Sequence, residues 1–161
     1  MTWTFDDGTD VSSRTTNAGV LNWADGYRTF CIQLDENISS GSTVPFSVVD
    51  PSDLPDQPPL PGPMGTARSE VMQDLYARWY DSIFTHSFTE MNDVAAAFQL
   101  LVWEISHESF TFETDASSGV AEMSLSAGAM AATDFGGSAV SALVQDMIDS
   151  LGDGGFRADY R

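Results

Sequence analysis

The chain has 161 residues, of which 42% are hydrophobic and 11% aromatic, enough for one folded domain with an apolar core. Against 24 acidic residues stand only 6 basic ones, and the resulting net charge of -18 excludes nucleic acid and anionic membranes as partners. No apolar run approaches the roughly 18 residues of a membrane span, and the N-terminal stretch lacks the basic and apolar regions of a signal peptide.

The basic residues are all arginines, and the chain contains no lysine although lysine is common in globular proteins. They are Arg14, Arg28, Arg68, Arg78, Arg157 and Arg161. Two explanations are open. The source has an acidic, GC-rich or salt-adapted proteome, or a primary amine on this chain would be harmful to its function.

The first half of the chain carries patterns typical of strands. Short apolar or alternating runs predict strands at 3–5, 18–23, 27–36 and 44–50. In YRTFCIQLDE the alternation is clearest, because Phe30, Ile32 and Leu34 share one face of an extended segment. Residues 51–63 hold six of the seven prolines. Proline is incompatible with helix interiors and central strands, so we expect a stiff surface loop there.

The second half has helical periodicity. It predicts helices over about 69–84, from the SFTEMND stretch to about 107, and over 138–151, with strands at 109–114 and in the tail GFRADY. Thr89 is the predicted N-cap of the middle helix. We therefore expect one α+β domain over 1–161, a β-sandwich or barrel with a helical subdomain and the proline-rich loop 51–63 on its surface.

Residues 95–105 of the middle predicted helix, AAAFQLLVWEI, are almost all apolar. Gln99 is the one polar residue in this stretch before Glu104. Burying an unpaired amide costs roughly 2–7 kcal/mol. Gln99 must therefore be hydrogen-bonded, exposed or chemically consumed. Further along this helix, we expect Glu104 to mark the solvent edge and His107 to be a capping or exposed residue rather than a proton shuttle.

The single cysteine, Cys31, excludes an internal disulfide. A buried structural thiol is one interpretation. A cysteine hydrolase would need His86 or His107 beside the thiol, and neither histidine lies in a signature of such enzymes.

Binding functions without covalent chemistry are also open. The acidic stretch DDGTD at 6–10 resembles part of a calcium loop. Four aromatic residues could stack on a sugar: Trp23, Tyr27, Trp79 and Tyr80. The alternative function is therefore a noncovalent surface or matrix module that binds glycan or calcium.

Two short motifs together favour a different chemistry. Phe-Cys-Ile at 30–32 lies in a predicted strand, and FQLLVW at 98–103 lies in a predicted helix. In order, spacing and secondary structure they resemble the two signatures of bacterial thioester domains, of the type found in surface adhesins with a Pro-Glu-Pro C-terminal sorting signal. The resemblance extends over roughly residues 18 to 115.

The resemblance implies that the Cys31 sulfur attacks the Gln99 carboxamide, ammonia leaves, and an internal thioester joins strand and helix. It implies a monomeric, extracellular or cell-surface adhesion domain that captures an amine or hydroxyl on a partner protein or glycan. Such a domain reacts once, is not a turnover enzyme, and needs neither cofactor nor metal. Lysine-free composition would suit a chain that carries an amine-reactive ester.

Overall fold

A computed structural model describes residues 2–6, 11–34, 38–55, 62–107, 116–135 and 137–157. The strands are β1 (Thr2–Asp6), β2 (Val11–Thr15), β3 (Leu21–Asn22), β4 (Arg28–Thr29) and β5 (Met130–Asp134). The helices are α1 (Gly65–Ile83), α2 (Phe88–His107), α3 (Ala116–Glu122) and α4 (Ser138–Ser150), and a 3-10 turn covers Pro51–Asp53. The predicted mixed α+β class is confirmed.

The described strands form two small, open antiparallel sheets. One has the order β2-β1-β5, and the other pairs β3 with β4. In the central strand β1, Trp3 is almost fully buried and pairs with Arg14 on one side and Ala132 on the other. Strands from the two ends of the chain therefore meet, which local sequence patterns do not predict.

Helix α2 forms the centre of the apolar core, and α1 and α4 both pack against it. Nearly every residue from Val94 to His107 is buried, as the apolar run in this segment predicts. In α1 the apolar residues Val71, Leu75 and Ile83, spaced by four residues or a multiple of four, are fully buried and face the core. None of the described helices has the length and apolar composition needed to cross a membrane.

The start of α2 differs from the prediction that Thr89 caps it. Ser87 precedes the helix, and both its backbone N–H and its hydroxyl donate to Glu90 Oε2. A serine followed three residues later by glutamate is the pairing of a capping box, in which the glutamate side chain accepts from the serine N–H. The helix therefore begins directly after Ser87 rather than at Thr89.

Two predicted strands are shorter than expected or not formed. Of the predicted strand 27–36, the structure describes 27–34, and strand pairing in that part is limited to Arg28–Thr29, because the next residues leave the sheet and Cys31 bonds to Gln99 of α2. Residues 44–50 form no strand, and Phe46 and Val48 in this segment are 77% and 94% exposed. Their alternating pattern has no described sheet edge beside it, and Pro45 has no N–H to donate to a ladder.

Other expectations meet the structure only in part. One predicted strand, 109–114, lies outside the described residues. The other, in the tail GFRADY, is described only over 155–157, and these residues do not form a strand. Strands β2 and β5 and helix α3 were not predicted.

At the start of the proline-rich loop, the Asp50 side chain accepts from Ser52 N–H at 2.9 Å and caps the 3-10 turn.

Candidate functional site

The structure brings Gln99 and Cys31 together, although 68 residues separate them in the chain. The Cys31 backbone N–H donates to Gln99 Oε1 at 2.9 Å. The Gln99 Nε2 group donates to the Cys31 carbonyl at 2.6 Å. Gln99 is only 1% exposed, and its amide pairs with the backbone of residue 31 as a neighbouring strand would. These two bonds explain how an apolar helix accommodates a primary amide.

Three further contacts hold the segment around Cys31 on the helices. The Phe30 ring packs against Phe98 of α2 with centroids 4.6 Å apart. The Tyr80 hydroxyl of α1 donates to the Arg28 carbonyl at 2.6 Å, and Ser106 Oγ lies 3.4 Å from the Ile32 carbonyl. Because these contacts fall on both sides of Cys31 in the chain, they fix its position against α1 and α2.

The Cys31 thiol is half-buried and donates to the Gln33 carbonyl at 3.0 Å. Gln33 itself is 7% exposed. The thiol lies in an extended segment rather than at a helix N-terminus, the position where backbone dipoles favour a thiolate. A helix dipole therefore does not activate this thiol.

Aromatic rings cover one side of the Cys31–Gln99 contact. The Tyr76 ring meets Phe98 edge-on at 4.9 Å and stacks on Tyr80 at 5.6 Å, and Tyr80 contacts Phe84 at 5.3 Å. Burial in this group raises the pKa of Tyr80. The cluster, which also includes Phe30, places apolar surface on one side of the contact.

A cavity of about 240 Å³ borders the same contact. Its lining includes the residues on either side of Cys31 and one residue of the next turn of α2 after Gln99. The lining residues are Phe30, Ile32, Pro51, Met64, Met72, Gln73, Tyr76 and Val102. None of these described side chains carries a charge, and Gln73 is the one with an amide.

The predictions for Glu104 and His107 are wrong, because both side chains are fully buried. The backbone N–H of Ser124, which follows α3, donates to Glu104 Oε1 at 2.9 Å, so the chain after α3 covers this end of α2. His107 Nδ1 lies 2.7 Å from Ser106 Oγ. Burial, followed by the nearby Arg68 charge, lowers the pKa of His107 to about 4 despite a hydrogen bond with the Trp103 backbone that favours protonation.

The four aromatic residues considered for sugar stacking do not form one exposed platform. Trp23 Nε1 donates to Thr29 Oγ1 at 2.8 Å, and Trp79 Nε1 donates to Ser150 Oγ at 2.9 Å. Tyr80 belongs to the aromatic cluster, whereas Tyr27 is 65% exposed. Three of the four side chains are therefore partly buried components of the fold.

Metal binding gains no support from the described part of the chain. Within it, no group of three or more His, Cys, Asp or Glu side chains is placed to hold an ion. Residues 7–10 of the calcium-like stretch lie outside the described residues. The expectation that the site uses no metal or cofactor stays a prediction.

The chain matches no protein-family model, no curated protein and no solved structure. The functional interpretation therefore depends on the two motifs and on the geometry around them. Sequence reasoning selected Cys31 and Gln99, and the structure places them in contact. Of the cavity residues, Phe30, Ile32 and Val102 belong to the two motifs. Sequence reasoning missed Ser106 and the other cavity residues, Pro51, Met64, Met72, Gln73 and Tyr76, for which no local pattern signals a role.

Proposed function

We propose that this protein is a covalent adhesion domain in which Cys31 and Gln99 form an internal thioester that captures an amine on a partner. One observation carries the proposal: the Gln99 amide, in the middle of an apolar helix, is held at both its oxygen and its nitrogen by the backbone of Cys31. The motifs Phe30-Cys31-Ile32 and Phe98-Gln99 support it independently.

The backbone hydrogen bonds favour the chemical step as well as the fold. When a sulfur attacks the Gln99 carbonyl carbon, negative charge develops on Oε1. The Cys31 N–H already donates to that oxygen at 2.9 Å, within the range expected of an oxyanion-stabilising donor. Because the donor is a backbone group already in position at the Gln99 oxygen, it stabilises this charge without reorganisation.

The reaction balances without a co-reactant. Sγ must rotate away from the Gln33 carbonyl to reach the Gln99 carbonyl carbon. An S–C bond forms, the C–N bond breaks, and the thiol proton leaves with the amide nitrogen as ammonia. The hydrogen bond from Nε2 to the Cys31 carbonyl is lost, whereas the bond to Oε1 remains available. Proximity of the two groups in the folded chain supplies the effective concentration for this step.

Apolar burial would preserve the thioester once it forms. Gln99 is 1% exposed and Phe98 fully buried, and the Phe30 ring packs beside them. Exclusion of water from such a site slows hydrolysis of a reactive intermediate. An incoming amine then attacks the same carbonyl, forms an amide and returns the proton and the electron pair of the C–S bond to the Cys31 thiol.

This chemistry agrees with the composition. The chain has no lysine, so no side-chain amine of its own competes for the ester. We propose an extracellular or cell-surface location, a monomeric domain and an amine- or hydroxyl-bearing protein or glycan as partner. The thioester-domain fold with a β-sandwich is part of the same proposal. The protein acts once, and is not a turnover enzyme.

Reaction with methylamine tests the proposal. The native protein should gain one methylamide at Gln99 and release one thiol, because aminolysis of the ester yields both products together. Gln99→Ala and Cys31→Ala should show neither product. Gln145→Ala is a matched control on the exposed face of α4, and it should react as the wild type does. Methylamine adducts that persist in Cys31→Ala, or none in the wild type, would contradict the proposal.

A further inference from the structure

Tyr80 of α1 is bonded to the segment that leads into Cys31. Its hydroxyl donates to the Arg28 carbonyl at 2.6 Å. We propose that Tyr80 is a positioning residue for thioester formation, whose bond to the Arg28 carbonyl holds the Cys31 backbone against Gln99 while the sulfur attacks. This inference rests on the thioester proposed above and specifies what aligns its two reacting groups.

The segment around Cys31 needs such an anchor because its strand ends before the cysteine. Strand β4 pairs with β3 only at Arg28 and Thr29, and the described residues 30–34 belong to no strand. Two hydrogen bonds join the Cys31 backbone to the Gln99 amide, and the one from Nε2 is lost when ammonia leaves. A bond outside this pair therefore has to keep Cys31 at the reacting carbonyl.

The contact on the other side of Cys31 is a weaker anchor. Ser106 Oγ lies 3.4 Å from the Ile32 carbonyl and 3.3 Å from the Trp103 carbonyl. A serine hydroxyl has one proton to donate, so the Ile32 carbonyl competes for it with a closer acceptor. The 2.6 Å bond from Tyr80 is much shorter, and it holds the segment more firmly.

The end of α1 holds Arg28 in a second way. The Arg28 guanidinium carbon lies 4.3 Å from the centroid of the Phe84 ring, a cation–π distance. Phe84 lies one turn after Tyr80, and the two rings contact edge-on at 5.3 Å. Burial raises the pKa of Tyr80 against the smaller effect of the Arg28 charge, so the hydroxyl remains a donor at neutral pH. This part of the protein therefore binds residue 28 through both its backbone and its side chain.

The Tyr80 ring also connects the two reacting segments. It lies edge-on to Phe30 with centroids 6.3 Å apart and to Phe98 at 6.4 Å. Phe30 precedes Cys31 in the chain, and Phe98 precedes Gln99. Tyr80→Phe keeps the ring in this cluster and removes the hydroxyl, so it isolates the bond to the Arg28 carbonyl.

Tyr80 itself neither gives nor takes a proton in the reaction. The Cys31 sulfur bonds to the Gln99 carbonyl carbon, the C–N bond breaks, and the thiol proton leaves with the nitrogen as ammonia. The contribution of Tyr80 is alignment, and a displacement of about 1 Å between reacting groups costs up to about a hundredfold in rate. Removal of the hydroxyl should therefore slow thioester formation by about tenfold or more.

Re-formation of the ester after opening by ammonia measures this step. Ammonia restores the Gln99 amide and the Cys31 thiol; after its removal, the chain again becomes about 17 Da lighter at the rate of thioester formation. Tyr80→Phe should re-form the ester about tenfold or more slowly than the wild type. A p-aminophenylalanine in place of Tyr80 restores a donor and should return the rate to within about threefold of the wild type. Where the opened wild type does not re-form the ester while folded, refolding from urea starts the reaction in every sample.

Trp79→Phe is the matched control on α1. It removes a hydrogen bond from the neighbouring aromatic residue, in which Trp79 Nε1 donates to Ser150 Oγ at 2.9 Å. That bond joins α1 to α4 rather than to residue 28, so Trp79→Phe should form the ester at the wild-type rate. Urea unfolding of both variants compares their loss of stability.

Opening of the formed ester by methylamine is a second readout. In the ester, the C–S bond itself holds Cys31 at Gln99, so alignment by Tyr80 is no longer required. Tyr80→Phe should therefore open within about threefold of the wild-type rate, although it forms the ester slowly.

The outcomes separate this inference from the proposed function. A folded Tyr80→Phe that forms the ester at the wild-type rate, or no more slowly than Trp79→Phe, would overturn the role of Tyr80 and leave the thioester intact. Equal slowing of formation and opening would also overturn it, because a general structural effect acts on both. A wild type without the ammonia mass deficit overturns both proposals. Should Tyr80→Phe fail to fold, Phe84→Leu removes the ring beside the Arg28 guanidinium and should likewise slow formation but not opening.

Discussion

Replacing Cys31 with serine should reveal a crosslink through its effect on stability. The substitution removes the sulfur, but residue 31 keeps the backbone N–H and carbonyl that bind the Gln99 amide. Serine and cysteine are close in size, and residue 31 is half-buried. Without a thioester, the change should therefore alter the free energy of unfolding by less than about 1 kcal/mol.

With a thioester, the expected loss is larger because the crosslink closes a long loop. The joined residues are 68 positions apart, and closing a loop of that length stabilises the folded state by about 4 kcal/mol through the unfolded chain. Thioester formation also removes the hydrogen bond from Gln99 Nε2, which is worth about 1 kcal/mol. The net loss in Cys31→Ser should be about 3 kcal/mol.

Urea unfolding of three samples tests this difference: the wild type, Cys31→Ser, and wild type whose ester has been opened by methylamine. The opened protein and Cys31→Ser should agree within about 1 kcal/mol, since both lack the crosslink. Equal stability of the untreated wild type and Cys31→Ser would refute the reasoning.

Three further predictions concern the framework of the site. His107 has its pKa lowered to about 4 by burial, so the unfolded chain takes up a proton first. Stability should fall by about 2 kcal/mol between about pH 7 and pH 5, and the slope of urea-derived stability should flatten in His107→Gln. Asp74→Asn should cost about 2–4 kcal/mol in thermal unfolding, because the buried carboxylate accepts from Arg78 and from the Gly152 backbone. Phe98→Ala should cost about 3–5 kcal/mol and should also speed loss of the thioester in water, followed by thiol release. An unchanged slope, an unshifted midpoint or an unchanged rate of thiol release would contradict the respective prediction.

The helices were the most predictable part of the fold. Periodic apolar residues such as Val71, Leu75 and Ile83 determine which face of α1 is buried, and that information is local. Strand pairing is not local. The association of β1 with β5 joins residues more than a hundred positions apart, and the alternating run 44–50 stays exposed because pattern alone does not supply a neighbouring strand.

In the candidate site, too, local sequence features were predictable and contacts between distant segments were not. Two features of the sequence were enough to select Cys31 and Gln99. One is the amide in the middle of an apolar helix, and the other is the pair of short motifs. The burial of Glu104 was not predictable from local sequence, because the backbone N–H of Ser124, which follows α3, donates to its carboxylate. His107 is buried at the same end of α2. The cavity combines residues of α1 and α2 with Phe30, Ile32, Pro51 and Met64, so no single stretch of sequence encodes it.

Intact-mass measurement of the untreated native protein tests the central claim most directly. Formation of the Cys31–Gln99 thioester expels ammonia, so the chain should be about 17 Da lighter than its sequence mass. Cys31→Ala and Gln99→Ala should each have the full mass of their sequences. A wild-type chain at its full sequence mass, in folded protein never exposed to amines, would contradict the thioester.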